Sequence, residues 1–216
     1  MTLPQLVDLY GRNGFDVLAV TDHVVRRNAP TLELREETFG TYLAEIASQA
    51  ERARLEYDLL LLPGLELTYD DPDPSLAAHA VAVGCRAFVG VNDGIETALA
   101  RARDEGAALF AAHPYDGDGR VASPARPTER FARDWRELAP LVDRWELFNR
   151  NELFGWVAEQ ALPAVANGDF HQLEHLHGWK TLLPCAKEEL AVVDYLRSTR
   201  PAFLTRIDDV PLRQAA

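Results

Sequence analysis

Short apolar runs of strand length alternate with amphipathic helical patterns along the chain, and this alternation narrows the available folds more than any other feature. Leu3, Leu6, Val7 and Tyr10 follow the i, i+3, i+4, i+7 spacing of a helix, with Thr2 and Pro4 as start signals and Asn13-Gly14 as the stop. Residues 15–21 form an apolar run rich in strand formers, and residues 22–30 form a polar loop. Phe39, Tyr42, Leu43, Ile46, Ala50 and Ala53 then mark a long amphipathic helix. Further strands are predicted near residues 59–67, 79–85, 107–112, 144–148 and 164–167, with a closing strand at 202–205. Helical patterns lie between several of them: one after the Asn92-Asp93 cap carrying Ile95 and Leu99, one over 128–138, and the last over 187–196. The pattern predicts an α/β chain with a parallel sheet, open or closed into a barrel, as one domain over residues 1–216. No period of about 20 to 50 residues suggests a repeat array.

Parallel strands followed by helices bring their ends together on one face, where chemistry-bearing groups gather. Here those ends carry histidines and acids. Thr21-Asp22-His23 closes FDVLAV, Glu66 closes LLLLPGLE, His79 opens onto AVAVG, His113-Pro114 closes AALFAA, and Asp169-Phe170-His171 closes PAVANG. Any one of these histidines alone reads as a satisfied core residue; their joint placement points to a metal site. A hydrolytic site needs neutral imidazoles, carboxylates and an open coordination position. Glu66, His79 and His113 suffice for one three-ligand ion, Asp169 can share a second with Glu66, and His23 with His171 can contribute to a third. Two such ions clamp a phosphate and activate water, so hydrolysis of a phosphate ester is the expected chemistry.

Charge and composition exclude other classes. The net charge of −12 is spread along the chain, which removes nucleic acid as a standing partner. No apolar run approaches the roughly 18 residues of a membrane span. The opening residues lack a basic n-region followed by a long apolar h-region, and the expectation is a cytoplasmic protein without membrane contact. Cys85 and Cys185 show no CxxC spacing and read as ordinary thiols. Walker-type, Gly-x-Ser-x-Gly and Rossmann signatures are all missing.

Two loops stand out. Residues 115–127, dense in Gly, Pro and Asp, follow His113 and are expected to face substrate. Their Asp-Gly-Asp-Gly start is not a calcium loop, because Arg120 occupies the fifth ligand position and no glutamate follows at the required spacing. The second loop, residues 169–180, holds His171, His175 and His177, the latter two a His-x-His pair that offers reserve imidazole ligands. Arg26, Arg27, Arg120, Arg150 and Lys180 sit on predicted loops over the same face. Each reads first as a solvated charge and second as a phosphate contact, with Arg26, Arg27, Arg120 and Lys180 the substrate-binding candidates. Asp22 is either a cap or an orienting partner of His23, Glu146 and Asn149 read as a salt bridge or turn, and Trp145, Trp156 and Trp179 as packing.

The ordered motifs resemble the polymerase and histidinol phosphatase (PHP) family of metal-dependent phosphoesterases. They are Gly14-Phe15-Asp16 leading into Thr21-Asp22-His23, Pro63-Gly64-Leu65-Glu66, His79 in HAVAVG, Ala112-His113-Pro114, Glu146 to Asn149 in WELFN, and Gly168-Asp169-Phe170-His171. The resemblance covers most of the chain and implies a distorted (β/α)7 TIM-like barrel carrying two or three zinc, manganese or iron ions at its strand ends. By this resemblance Glu66 is the bridging ligand, His79 and His113 hold one ion, Asp169 another, and His23 and His171 a third, with Glu66, Asp169 and His171 catalytic. Family members begin with a strand ending in His-x-His, then a further histidine and a Ser-Asp-Gly stretch, before the helix that opens this chain. The expectation is therefore a barrel without its first strand, whose exposed edge a second copy would cover as a homo-oligomer. A longer reading frame and a genuine loss both account for that departure.

The leading functional reading is a phosphoesterase acting on a small phosphorylated metabolite or nucleotide with metal-activated water. The alternatives are a degenerate metal-binding protein with one structural or regulatory ion and no turnover, and an amidohydrolase-like enzyme cleaving a C–N bond with the same ligand types.

Overall fold

A computed structural model describes residues 1–26, 33–117 and 128–208. The chain opens on α1 (Leu3–Arg12), where Gln5 Oε1 accepts the Thr2 backbone N–H at 3.0 Å. Next come β1 (Val17–Val20), the two-residue β2 (His23–Val24) and α2 (Glu36–Tyr57). Phe39, Ile46 and Ala53 recur every seventh residue of α2 and form its buried stripe. Strand β3 (Leu60–Tyr69), β4 (Ala78–Val83), α3 (Ile95–Asp104) and β5 (Ala108–Ala112) follow.

The predicted helix over 128–138 is broken into α4 (Arg130–Arg133) and α5 (Trp135–Leu138), with a 3-10 turn at Ala139–Leu141. Asp134 lies between them at φ −109°, outside helical geometry. Then come β6 (Arg144–Asn149), β7 (Glu152–Leu153), α6 (Gly155–Glu159) and β8 (Ala164–Asn167). The loop expected over 169–180 ends early, in β9 (Gly178–Leu182), and α7 (Glu189–Arg197) and β10 (Phe203–Ile207) complete the described chain.

The main sheet runs β1-β3-β4-β5-β6-β7, with β2 also on β3 and β8 also on β6. It is mixed, which corrects the expectation of a parallel sheet. β1–β3, β5–β6 and β6–β8 are parallel, whereas β4 runs antiparallel to both neighbours. The cause is the link from β3 to β4, which spans only residues 70–77 and holds no helix, too little for a parallel crossover. The closing strand is also displaced: β10 pairs antiparallel with β9 as a separate two-stranded sheet. Thr181 joins the two sheets, its hydroxyl accepting from Ala166 N and donating to Ala166 O, both at 2.8 Å.

Strand β3 is buried on both faces, and its Pro63-Gly64 step is where its ladders change over. β1 pairs up to Pro63, β4 from Gly64, and β2 from Glu66. A Cβ on Gly64 would stand 2.7 Å from Ala82 O and 2.8 Å from Thr21 Cγ2, so only glycine admits both neighbours. The sheet curls until its first strand and the β9 region face one cavity of about 430 Å³, with Val20 on one side and Thr181 and Leu183 on the other. Beneath it, Arg144 is fully buried and donates to Tyr195, Leu196, Ser198 and Arg200 carbonyls at 2.8–3.0 Å, capping the C-terminus of α7. Cys85 and Cys185 are both free thiols, and no helix among the described residues is long and apolar enough to cross a membrane.

Candidate metal centre

Strand register brings the donors together. In β3, Glu66 lies beside His23 of β2 and opposite Val81 of β4, so His79, two residues from Val81, projects on the same face. His79 in turn pairs with Ala112, which places His113 next to it. The antiparallel course of β4 explains why His79 opens its strand while the other donors come late in theirs. Glu66 does not close β3, as the sequence suggests; the strand continues through Tyr69.

The buried Glu66 carboxylate is the hub. Its Oε1 lies 3.1 Å from His79 Nδ1, 3.5 Å from His113 Nε2 and 3.6 Å from His23 Nδ1. One ligand atom from each of Glu66, His79 and His113 falls within 4.8 Å of the others. Burial pushes the Glu66 pKa up, but the surrounding His113, His79 and His23 rings outweigh it and hold the carboxyl well below its usual range. For His79, burial works against charge, yet Asp70 and Glu66 on its two ring nitrogens lift the pKa to about 9. Three imidazoles around one buried carboxylate is the donor chemistry of a divalent-cation site.

Hydrogen bonds fix which nitrogen of each ring faces the centre. The Thr128 hydroxyl donates to His113 O at 2.7 Å, so toward His113 Nδ1, 3.2 Å away, it can only accept. His113 Nδ1 therefore carries a proton, and Nε2 is the nitrogen directed at the centre. Thr68 acts likewise, donating to Glu66 O at 3.3 Å and accepting from His23 Nδ1 at 2.8 Å. Asp70 Oδ1 accepts from His79 Nε2 at 3.1 Å, which turns Nδ1 toward Glu66. These orienting partners, Thr68, Asp70 and Thr128, were not legible in the sequence; Thr68, rather than Asp22, sets the His23 ring.

A second cluster adjoins the first. His23 Nε2 lies 3.4 Å from His171 Nε2, and His171 Nδ1 lies 3.1 Å from Asp169 Oδ1. Asp169 also accepts from Arg150 Nη2 at 2.7 Å, while Arg150 grips the Asp169 backbone oxygen at 2.8 and 3.0 Å. Burial and Glu66 push the Asp169 carboxyl up, but His171 and Arg150 prevail and keep it low; Asp169 in turn lifts His171 to about 9. His113, Arg150 and Asp169 all hold positive φ values (29°, 55° and 38°), which non-glycine residues adopt only when their surroundings impose it. For His113 part of that restraint is the buried Glu146 carboxylate, which accepts its backbone N–H at 2.7 Å together with the Asn149 and Asn167 amides. Burial pushes the Glu146 carboxyl up, against the pull of His113 and those amides.

The remaining candidates fall elsewhere. Arg26 stacks 3.9 Å over Tyr69 and pairs with Asp71 at 3.3 Å, so its guanidinium is engaged outside the cavity. Arg27, Arg120 and most of the 115–127 loop lie outside the described residues. The reserve ligands do not fill in: His175 Nδ1 accepts the His171 backbone N–H at 3.0 Å, and His177 Nδ1 faces Asp208 O at 3.2 Å. Lys180 lines the cavity. Trp145 and Trp156 pack edge to face and Trp179 stacks on Phe148, as expected of packing residues.

No family model matches the chain, and no curated protein matches it. Among solved structures it is similar to a two-domain protein of Bacteroides vulgatus containing a predicted PHP-like metal-dependent phosphoesterase. That match has TM-score 0.61 and 18% identity over 93% of this chain and 58% of that one. A second similarity is to a protein of Bifidobacterium adolescentis provisionally assigned as a metal-dependent phosphoesterase, with TM-score 0.46 and 15% identity over 78% of this chain and 82% of that one. The first likeness establishes a shared mixed α/β fold with a curled sheet, and this chain spans 58% of that neighbour's length.

Proposed function

We propose that this chain is a metal-dependent phosphoesterase that hydrolyses a small phosphorylated metabolite or nucleotide. The observation that carries the reading is the Glu66, His79 and His113 constellation, in which Thr128 and Asp70 orient one nitrogen of each ring toward a buried carboxylate. The Bacteroides neighbour's PHP-like phosphoesterase description supports the same class. Zinc, manganese and iron all suit imidazole and carboxylate donors. When bound, such an ion supplies Lewis acidity toward a phosphoryl oxygen and toward water near neutral pH.

The chain's own residues supply the rest. Glu66, His79 and His113 hold the first position, while His23, Asp169 and His171 offer donors for further ions, with Glu66 shared between the clusters. Glu66, Asp169 and His171 are the proposed catalytic set, since all three line the cavity where substrate would sit. Arg150 fixes Asp169 from behind. Leu62, Val81, Phe110 and Val165 line the cavity's apolar part, lowering the local dielectric and strengthening the electrostatics at its polar end.

The test is metal content per chain on protein purified without chelators or a histidine tag, followed by turnover of a phosphate monoester, a phosphodiester and a cyclic amide. Two or more ions with monoester or diester turnover supports the proposal. Cyclic-amide turnover alone, or bound metal without any turnover, refutes it.

A further inference from the structure

Among the described residues, Lys180 is the one lysine or arginine lining the cavity, which Asp22, Glu66, Glu146 and Asp169 also line. Its Nζ donates to two backbone oxygens, His177 O at 3.1 Å and Trp179 O at 3.3 Å. An ammonium has three N–H donors, so one is left for the cavity. No carboxylate pairs with it among the described residues, in contrast to Arg26 and Arg150, which are both engaged by aspartates. Burial alone lowers its pKa to about 8, and it remains mainly cationic at neutral pH.

A second donor shares the patch. Tyr10 lines the same cavity, and the position a Cβ would take on Gly168 stands 3.6 Å from both Tyr10 OH and Lys180 Nζ. The two groups therefore flank one bare stretch of backbone immediately before Asp169. Burial and the Asp169 charge both oppose ionisation of Tyr10, so its hydroxyl stays a proton donor. Two hydrogen-bond donors, one charged, thus lie close together over the bare Gly168 backbone, next to a proposed metal ligand.

We propose that Lys180 and Tyr10 form an oxyanion subsite that binds a phosphate group of the substrate. This rests on the phosphoesterase reading and adds to it the chain's own means of holding an anion in a cavity rich in carboxylates.

The probe is inorganic phosphate, titrated by calorimetry into manganese-loaded wild type, K180M, K180R and Y10F, with metal content measured on each. Neither residue is a metal ligand, so metal content and melting temperature report whether each variant is intact. The expected result is a loss of phosphate affinity of roughly tenfold or more in K180M, the scale of one charge-assisted hydrogen bond. Y10F should lose about threefold to tenfold, and K180R should recover most of the loss. Equal phosphate affinity in wild type, K180M and Y10F, or no phosphate binding by metal-loaded wild type, overturns the subsite. Lysine-dependent phosphate binding without turnover of any phosphate ester would instead sustain the subsite and refute the phosphoesterase reading.

Discussion

Replacing Thr128 with valine tests whether the metal centre is oriented by its hydrogen-bonded surroundings. Thr128 is fully buried, and valine matches its shape while removing the hydroxyl. Two hydrogen bonds disappear, from Thr128 Oγ1 to His113 O at 2.7 Å and from His113 Nδ1 to Thr128 Oγ1 at 3.2 Å. His113 O keeps the Tyr115 N–H at 3.0 Å, so the carbonyl is not orphaned, whereas the Nδ1 proton loses its acceptor. At about 1 kcal/mol per bond, the fold should lose about 2 kcal/mol, or roughly 4–8 °C in Tm for a chain of this size. The His113 ring then no longer favours the tautomer that presents Nε2 to Glu66. Loss of such an orienting partner typically costs about 10- to 100-fold in metal affinity. Competition against a fluorescent chelator measures that affinity, with T128S, which keeps the hydroxyl, as the control. If T128V bound metal within about threefold of wild type, the tautomer argument would be wrong.

Three further outcomes follow from the same structure. His79 and His171 have folded pKa values near 9 against an ordinary 6.5, so in chelator-treated protein their stabilisation is complete below 6.5 and is lost as pH rises toward 9. The Tm of ion-free protein should fall across that window and added metal should remove the fall, because ions displace those protons; a flat ion-free profile counts against the cluster. Arg144→Met leaves buried carbonyls at the end of α7 without their donor and should cost about 3–5 kcal/mol in chemical denaturation while metal content per folded chain is unchanged; a cost under about 1 kcal/mol refutes the capping role. Gly178→Ala puts a Cβ 2.6 Å from Arg150 O at a φ of +98°, so it should destabilise by about 2–4 kcal/mol and also weaken metal binding through Asp169. Wild-type metal affinity in folded G178A would break that link.

Local sequence signals located much of the candidate site, because Glu66, His113 and Asp169 fall late in or just beyond apolar runs that can only be strands. The reversed strand was hidden, since an apolar run reads the same in either direction and only the helix-free link at 70–77 reveals the turn. Thr68, Asp70 and Thr128 gave no local signal: Thr68 lies 45 residues from the His23 it orients, and Thr128 reaches His113 from fifteen residues away. Strand β9 lies partly where the sequence predicts loop, because its Trp, Lys and Thr show no apolar alternation. The sequence offers Lys180 only as one cation among several on the predicted face, and that no carboxylate pairs with it among the described residues is a tertiary fact.

The reversal of β4 has a further consequence for how this protein forms and changes. Glu66, His79 and His113 lie on or at the ends of three strands consecutive in the chain and adjacent in the sheet, so their meeting requires only two successive antiparallel pairings. Contacts of short sequence separation form with the least loop-closure entropy. The first ion position can thus assemble early in folding, before α7 and the β9–β10 pair are placed. The second cluster draws His23, Arg150, Asp169 and His171 from distant parts of the chain and must wait for the sheet to curl. A substitution near either end of the chain is accordingly expected to disturb the second cluster while sparing the first, so that the capacity to hold one ion and the capacity to hold several are separately mutable.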